Sequence, residues 1–227
     1  MSALAVATIV SALLAIAAAP WALGLPALAF VFKPLTTALV IAHAWPRGRA
    51  TPALRRWVLG GLSLSLAGDV ALLWPKQGFL PGLIAFLLAH LAYLAAFTRV
   101  QRLARPAWPF AAYALVAAAI LAALWGGVPA ALRLPVAAYV VCLVSMAAQA
   151  AAVWRGARGT DGEQPAGWLA LGGALFVTSD ALLAVERFMM PLPAASLWIL
   201  ASYWAAQWCI ASWPGPEARR GGVRAAA

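Results

Sequence analysis

The run FLPGLIAFLLAHLAYLAAFT, residues 79–98, holds twenty residues without one Asp, Glu, Lys or Arg, and it is bounded by Lys76 and Arg99. Twenty helical residues at about 1.5 Å each reach ~30 Å, the thickness of the hydrocarbon layer of a membrane. A helix at a water-exposed surface would carry a polar face repeating every 3.6 residues. This run offers only His90, Tyr93 and Thr98, so it reads as a helix that crosses a membrane.

On both sides of this run the same pattern recurs, near residues 2–19, 22–44, 54–74, 108–126, 131–154, 166–186 and 192–213. Composition agrees: 65% of the chain is hydrophobic and 10% charged, against roughly half and a quarter in soluble domains. The alternating pattern of a membrane β-barrel is absent. The expected fold is therefore all-α, a polytopic bundle of eight transmembrane helices. Residues 1–214 would form one transmembrane domain, and 215–227 a basic cytoplasmic tail. The first span ends in Ala17-Ala18-Ala19 and so resembles a signal peptide, but no Lys or Arg precedes its apolar run, and it is read as a retained helix.

A formal charge of +10 could suggest a nucleic-acid partner, yet the positions of the arginines point elsewhere. Arg47, Arg49, Arg55 and Arg56 flank one break, Arg99, Arg102 and Arg105 another, Arg155 and Arg158 a third, and Arg219, Arg220 and Arg224 the tail. With eight spans all of these fall on one side, while the opposite loops hold Lys76, Arg133 and Arg187. The positive-inside rule then puts both termini in the cytoplasm. A basic cytoplasmic face suits anionic membrane lipids, and no nucleic acid is expected. The preference for Arg over Lys and the heavy use of Ala suggest a GC-rich bacterium, hence the inner membrane.

Inside a bilayer an ionisable side chain costs about 2.5 to 3.5 kcal/mol on insertion scales, so the exceptions identify candidate sites. Of the six acidic residues, Asp161, Glu163 and Glu217 lie in a loop or the tail, and Glu186 sits at a span end beside Arg187. Asp69 and Asp180 remain, well inside the third and seventh spans. Lys33, in the middle of the second span, needs an anionic partner, and either aspartate could serve. His90 and Tyr93 share one helical face, as do Tyr203 and Gln207. At ~1.5 Å per residue Asp69 lies about 7 Å and Asp180 about 9 Å from the outer ends of their spans, and Lys33, His90 and Tyr203 about 16 Å from theirs. All five could line one cavity.

Gly68-Asp69-Val70-Ala71-Leu72-Leu73 parallels Ser179-Asp180-Ala181-Leu182-Leu183, and each Asp is followed at a similar interval by a Tyr, Tyr93 or Tyr203. Two four-helix halves would produce this echo, and so would chance similarity between Leu- and Ala-rich helices. Cys142 and Cys209 lie in spans, where thiols act as small apolar groups. No zinc set can be assembled from His43, His90 and the cysteines, and two aspartates alone would coordinate a metal poorly. There is no phosphate-cradling glycine loop, nor a nucleophile elbow around Ser63, Ser65 or Ser179. Acid–base chemistry by the carboxyls is what remains, with no cofactor and no metal.

At these residues the sequence resembles the YhhN family of membrane proteins, whose animal members are lysoplasmalogenases. The resemblance is carried by Lys33-Pro34, by Ser65-Leu66-Ala67-Gly68-Asp69 with Leu72, and by Phe86 through His90 to Tyr93. It continues through Gly173-Ala174-Leu175-Phe176, Ser179-Asp180 with Leu182 and Leu183, and Tyr203 to Gln207. It implies an eight-helix enzyme that hydrolyses the vinyl-ether bond of a lysophospholipid, a lysoplasmalogen, to a fatty aldehyde and a glycerophospho-base. One of Asp69 and Asp180 would protonate the alkene carbon, and the other would stabilise the cation and orient water. Lys33 would pair with an aspartate, and His90, Tyr93, Tyr203 and Gln207 would hold the water and the glycerol oxygens. Two other readings of the intramembrane polar residues stand beside this one: a proton-coupled transporter or flippase of small amphiphiles, and a non-catalytic membrane scaffold.

Overall fold

The computed structural model describes residues 2–74 and 76–214; the basic tail expected at 215–227, with Arg219, Arg220 and Arg224, lies outside the described residues. Those residues form eight α-helices and no strand. They are α1 (Ala3–Ala17), α2 (Pro26–Ala44), α3 (Pro52–Ala71), α4 (Phe79–Phe97), α5 (Trp108–Leu124), α6 (Ala130–Ala157), α7 (Glu163–Phe188) and α8 (Ala195–Ser212), with a 3₁₀ turn at Trp125–Gly127. Each expected span has its helix. The ends differ where local chemistry intervenes. α2 starts four residues late because Gly24 sits at a φ of +63° and Pro26 takes the first helical turn, where its missing N–H costs nothing. α8 starts only after Pro191 and Pro193, which cannot extend a helix backwards.

Among the described residues five helices are long and apolar enough to cross a membrane: α2, α4, α5 with its 3₁₀ turn, α6 and α7. α1 is apolar but only 15 residues long. α3 and α8 fall outside that set because they carry small and polar residues, among them Gly61, Ser65, Gly68 and Asp69 on one and Tyr203 and Gln207 on the other. Those same residues are buried. Both helices thus turn these residues inward, while residues such as Ile9, Leu13, Leu115, Leu134 and Val141 are exposed on the outside.

α2, α3, α4, α6, α7 and α8 pack in that order into a closed ring, with α8 returning to α2; α1 lies outside against α2 and α8, and α5 outside against α6 and α7. Moving four helices along the chain maps one half of this arrangement onto the other. The contacts of α1 with α2, α2 with α3, α3 with α4 and α4 with α6 become those of α5 with α6, α6 with α7, α7 with α8 and α8 with α2. Glycines mark the correspondence at atomic level. Gly61 stands eight residues before Asp69, and Gly172 eight before Asp180. A Cβ on Gly61 would come within 2.3 Å of the Tyr93 ring on α4, and one on Gly172 within 3.0 Å of the Ala206 carbonyl on α8. In each half, then, a glycine lets the third helix approach the fourth, as small residues do at helix contacts in membranes. This favours the two-half reading over chance similarity.

Candidate functional site

Asp69 sits in the last turn of α3, 1% exposed. Its Oδ2 accepts two hydrogen bonds, from Thr37 Oγ1 on α2 at 2.6 Å and from the Tyr203 hydroxyl on α8 at 2.7 Å. Its Oδ1 faces Lys33 Nζ, also on α2, at 3.8 Å. Lys33 and Thr37 reach the same carboxylate because residues four apart share a helical face. Behind this shell, Trp204 Nε1 donates to Thr37 Oγ1 at 3.1 Å and Gln207 Nε2 donates to the Tyr203 oxygen at 3.2 Å. The Gln207 carbonyl in turn accepts from the Tyr93 hydroxyl at 2.7 Å, so a continuous chain runs from α4 through α8 to α3.

Asp180, on α7, is less enclosed. Its side chain is 14% exposed, and its Oδ2 accepts from the Tyr139 hydroxyl on α6 at 2.5 Å. The Tyr139 oxygen lies 3.0 Å from His90 Nε2 on α4. Because Tyr139 gives its one proton to the carboxylate, its oxygen is left to accept, so Nε2 is the donor. His90 Nδ1 has no partner among the described residues. The relay therefore runs from His90 through Tyr139 to Asp180. Among the described residues Asp180 Oδ1 takes no hydrogen bond, and no Lys or Arg pairs with this carboxylate.

The inventories differ in kind. A carboxylate that accepts two hydroxyl protons on one oxygen and faces an ammonium on the other has no oxygen left from which to donate. Asp69 is thereby committed as an acceptor. Asp180 has one oxygen open.

Both aspartates line one cavity of about 660 Å³, within the usual range for small-molecule sites. Lys33, Tyr139 and Tyr203 share its polar end. From there it runs between apolar walls made by Ile120, Leu121 and Leu124 of α5, Val136, Val140 and Val144 of α6, and Val177 and Ala181 of α7. Its mouth lies where α1, α3, α5 and α7 end and α2, α4, α6 and α8 begin, and is bordered by Trp21, Phe79, Glu186, Arg187 and Ser196.

Of the residues selected from sequence, Lys33, Asp69, Asp180 and Tyr203 line this cavity. The counter-ion of Lys33, left open between two aspartates, is Asp69. His90, Tyr93 and Gln207 differ from expectation. All three are fully buried one layer behind the lining, and they reach the cavity through Tyr139 and Tyr203 instead of facing it. Thr37, Tyr139 and Trp204 were not singled out in the sequence reading. The spacing from Lys33 would have pointed to Thr37, and Tyr139 is one of only four tyrosines. Trp204 carries no mark in the sequence that sets it apart from the other tryptophans, of which the chain has twelve in all. Trp213, at the end of a span where interfacial tryptophans gather, is instead 9% exposed and packs edge-on against Phe97.

Fold and site together define a helical membrane protein with a buried two-carboxyl cavity. The chain belongs to the YhhN family, whose profile matches residues 28–213. It is 37% identical over 165 residues to the human protein "Lysoplasmalogenase TMEM86B", an alignment covering 71% of this chain and 63% of the human one. It is 32% identical over 189 residues to "Lysoplasmalogenase" of Mycobacterium tuberculosis (strain CDC 1551 / Oshkosh), covering 80% of this chain and 67% of that protein. The match thus spans just under two thirds of the human relative and about two thirds of the mycobacterial one. A third relative, "Uncharacterized membrane protein YhhN" of Escherichia coli O157:H7, is 38% identical over 95 residues, 42% of this chain and 45% of its own length. No solved structure matches the chain. The family and the five apolar helices together make this an integral membrane protein.

Proposed function

We propose that this protein is a lysoplasmalogenase: it hydrolyses the vinyl-ether bond of a lysoplasmalogen, releasing a fatty aldehyde and a glycerophospho-base. The observation that carries the reading is that Asp69 and Asp180, from opposite halves of the chain, line one predominantly apolar cavity. The names of the human and mycobacterial relatives support it.

A vinyl ether is cleaved by protonation of the alkene carbon remote from oxygen. Asp180, the carboxyl with an open oxygen, delivers that proton. The carbon bound to oxygen becomes an oxocarbenium centre, whose positive charge is stabilised by the Asp69 carboxylate across the cavity. Water attacks this carbon and returns a proton to Asp180, leaving a hemiacetal. The hemiacetal hydroxyl proton then passes to the glycerol oxygen as the C–O bond breaks, which gives the aldehyde and the free alcohol. One water is consumed and both carboxyls are restored. The division of labour parallels glycosidases, which also place two carboxyls around an oxocarbenium-like state. Tyr139 and Tyr203 fix the two carboxyls, and His90 and Gln207 fix the tyrosines.

In the membrane we place all eight helices across the bilayer, both termini in the cytoplasm and the protein in a bacterial inner membrane. The supporting observation is the arginine-rich set of loops on one side. The cavity mouth then opens on the opposite side, and a single-chain lipid can reach the carboxyls with its tail along the α5, α6 and α7 wall. The test is incubation of purified protein in detergent with a lysoplasmenyl lipid, measuring free long-chain aldehyde. Aldehyde release at a rate proportional to protein is expected; transport of the intact lipid into proteoliposomes without cleavage would refute the reading.

A further inference from the structure

A second pair of charges stands at the cavity mouth, unused by the chemistry above. Glu186 and Arg187, near the end of α7, both line the cavity. Glu186 Oε2 accepts from the Leu192 backbone N–H at 2.5 Å, which leaves Oε1 without a hydrogen bond among the described residues. The Arg187 guanidinium lies 4.7 Å from the centre of the Phe79 ring, and that ring meets Phe188 edge-on at 6.0 Å. Among the described residues no carboxylate pairs with Arg187. An aromatic face thus positions the guanidinium, while its N–H fork meets no protein acceptor among the described residues.

We infer that this pair reads the substrate's headgroup: Arg187 takes a phosphodiester and Glu186 the cationic amine beyond it. What is assigned is the pair of residues that recognises the headgroup, and the inference rests on the vinyl-ether reading of the same cavity. The spacing supports it. Arg187 follows Asp180 by seven residues, two helical turns, so the two share a face about 10 Å apart along the axis. In a lysoplasmalogen the ether oxygen and the phosphorus are separated by five single bonds, roughly 6 Å when extended. Helical side chains lean toward the N-terminus, so an arginine of ordinary length reaches back across the difference. A guanidinium also matches phosphate geometry with two parallel N–H bonds. The charges at the mouth, the carboxyls and the apolar lining offer a contact for the headgroup, the ether and the tail of the lipid in turn.

The test compares wild type, Arg187→Gln and Glu186→Gln in detergent on three substrates with one alkenyl chain: the alkenylglycerol, the alkenylglycerophosphate and the lysoplasmenylethanolamine. The Gln at 186 keeps an acceptor for the Leu192 N–H. In Arg187→Gln the ratio of kcat/KM for lysoplasmenylethanolamine over alkenylglycerol is expected to fall about tenfold, through KM. In Glu186→Gln the ratio for lysoplasmenylethanolamine over alkenylglycerophosphate is expected to fall severalfold. The same ratios are read as Kd with saturated alkyl analogues, which cannot be hydrolysed by this route, so the inference is tested even if no aldehyde forms. Absence of aldehyde from all three substrates refutes the hydrolase reading alone; unchanged Kd and kcat/KM ratios refute the headgroup assignment alone. If Arg187→Gln does not fold, Arg187→Lys retains the charge without the fork and should lie between wild type and full loss of selectivity. Equal selectivity in that variant overturns the bidentate contact.

Discussion

Removing the Lys33 ammonium should destabilise the protein strongly, and removing Asp69 as well should restore most of the loss. Lys33 Nζ lies 3.8 Å from Asp69 Oδ1, with the two side chains 13% and 2% exposed. At an effective dielectric of about 20 that separation corresponds to about 4 kcal/mol, in line with the ~3–5 kcal/mol typical for breaking a buried pair from one side. At ~2–4 °C per kcal/mol for a chain of this size, Lys33→Met should lower the unfolding midpoint by roughly 10 °C. Asp69→Asn alone also costs stability, because its amide can turn an N–H toward the ammonium. In the double variant a linear apolar side chain lies beside a neutral amide that still accepts from Thr37 or Tyr203, and the coupling should be about 3 kcal/mol. Cys142 and Cys209 are free and buried, so a thiol-reactive dye reports unfolding in detergent without added labels. The double variant should be folded yet release no aldehyde. A Lys33→Met shift below about 3 °C, or two single shifts that simply add, would refute the claim that this pair holds Asp69 as a pure acceptor.

Asp180→Asn should leave the midpoint within about 2 °C, since the amide oxygen still accepts from Tyr139, while aldehyde release falls by the ~10²- to 10⁴-fold typical of a lost general acid. Single-turnover kinetics on the purified variant check this. Tyr139→Phe removes the one donor to Asp180 among the described residues and the acceptor of His90 Nε2; a loss of about 1.5–3 kcal/mol should appear as a roughly ten- to hundredfold drop in kcat, read by steady-state assay. Gly61→Ala drives a methyl into the Tyr93 ring and should cost about 1–3 kcal/mol of stability. The adjacent Gly60→Ala, with nothing within 4 Å of its new Cβ, should be neutral or slightly stabilising. Thermal midpoints compare the two.

The all-helical architecture was legible because membrane insertion leaves a signal twenty residues long in composition alone. Helix ends were less so: Gly24, Pro26, Pro191 and Pro193 act within a residue or two, below the resolution of a hydropathy window. The carboxyls were legible for the same energetic reason as the spans, since an aspartate inside a long apolar run is conspicuous. Their partners were harder to see. A hydroxyl such as that of Thr37 or Tyr139 costs little to bury and leaves no mark in composition, so only geometry reveals that it holds a carboxylate. Depth along the helices was also too coarse to separate lining from backing. His90 lies at a suitable height, but the rotation of α4 turns it toward Tyr139, behind the cavity wall.

The two halves explain how one chain comes to hold two unlike carboxyls. By position, Asp69 and Asp180 are equivalents: each follows a contact glycine by eight residues, and each receives a hydrogen bond from the helix that precedes its own, Thr37 on α2 or Tyr139 on α6. Each is also approached from the last helix of the other half, by Tyr203 on α8 or His90 on α4. With identical neighbours the two groups would be interchangeable and neither would be preferred as acid. The difference lies in three side chains. Lys33 adds a cation to one site and nothing in α6 answers it at the other; Tyr203 donates directly to Asp69, whereas His90 stops at Tyr139. A repeated backbone therefore brings the carboxyls to one cavity, and a few unrepeated side chains saturate Asp69 and leave Asp180 with an oxygen free to act.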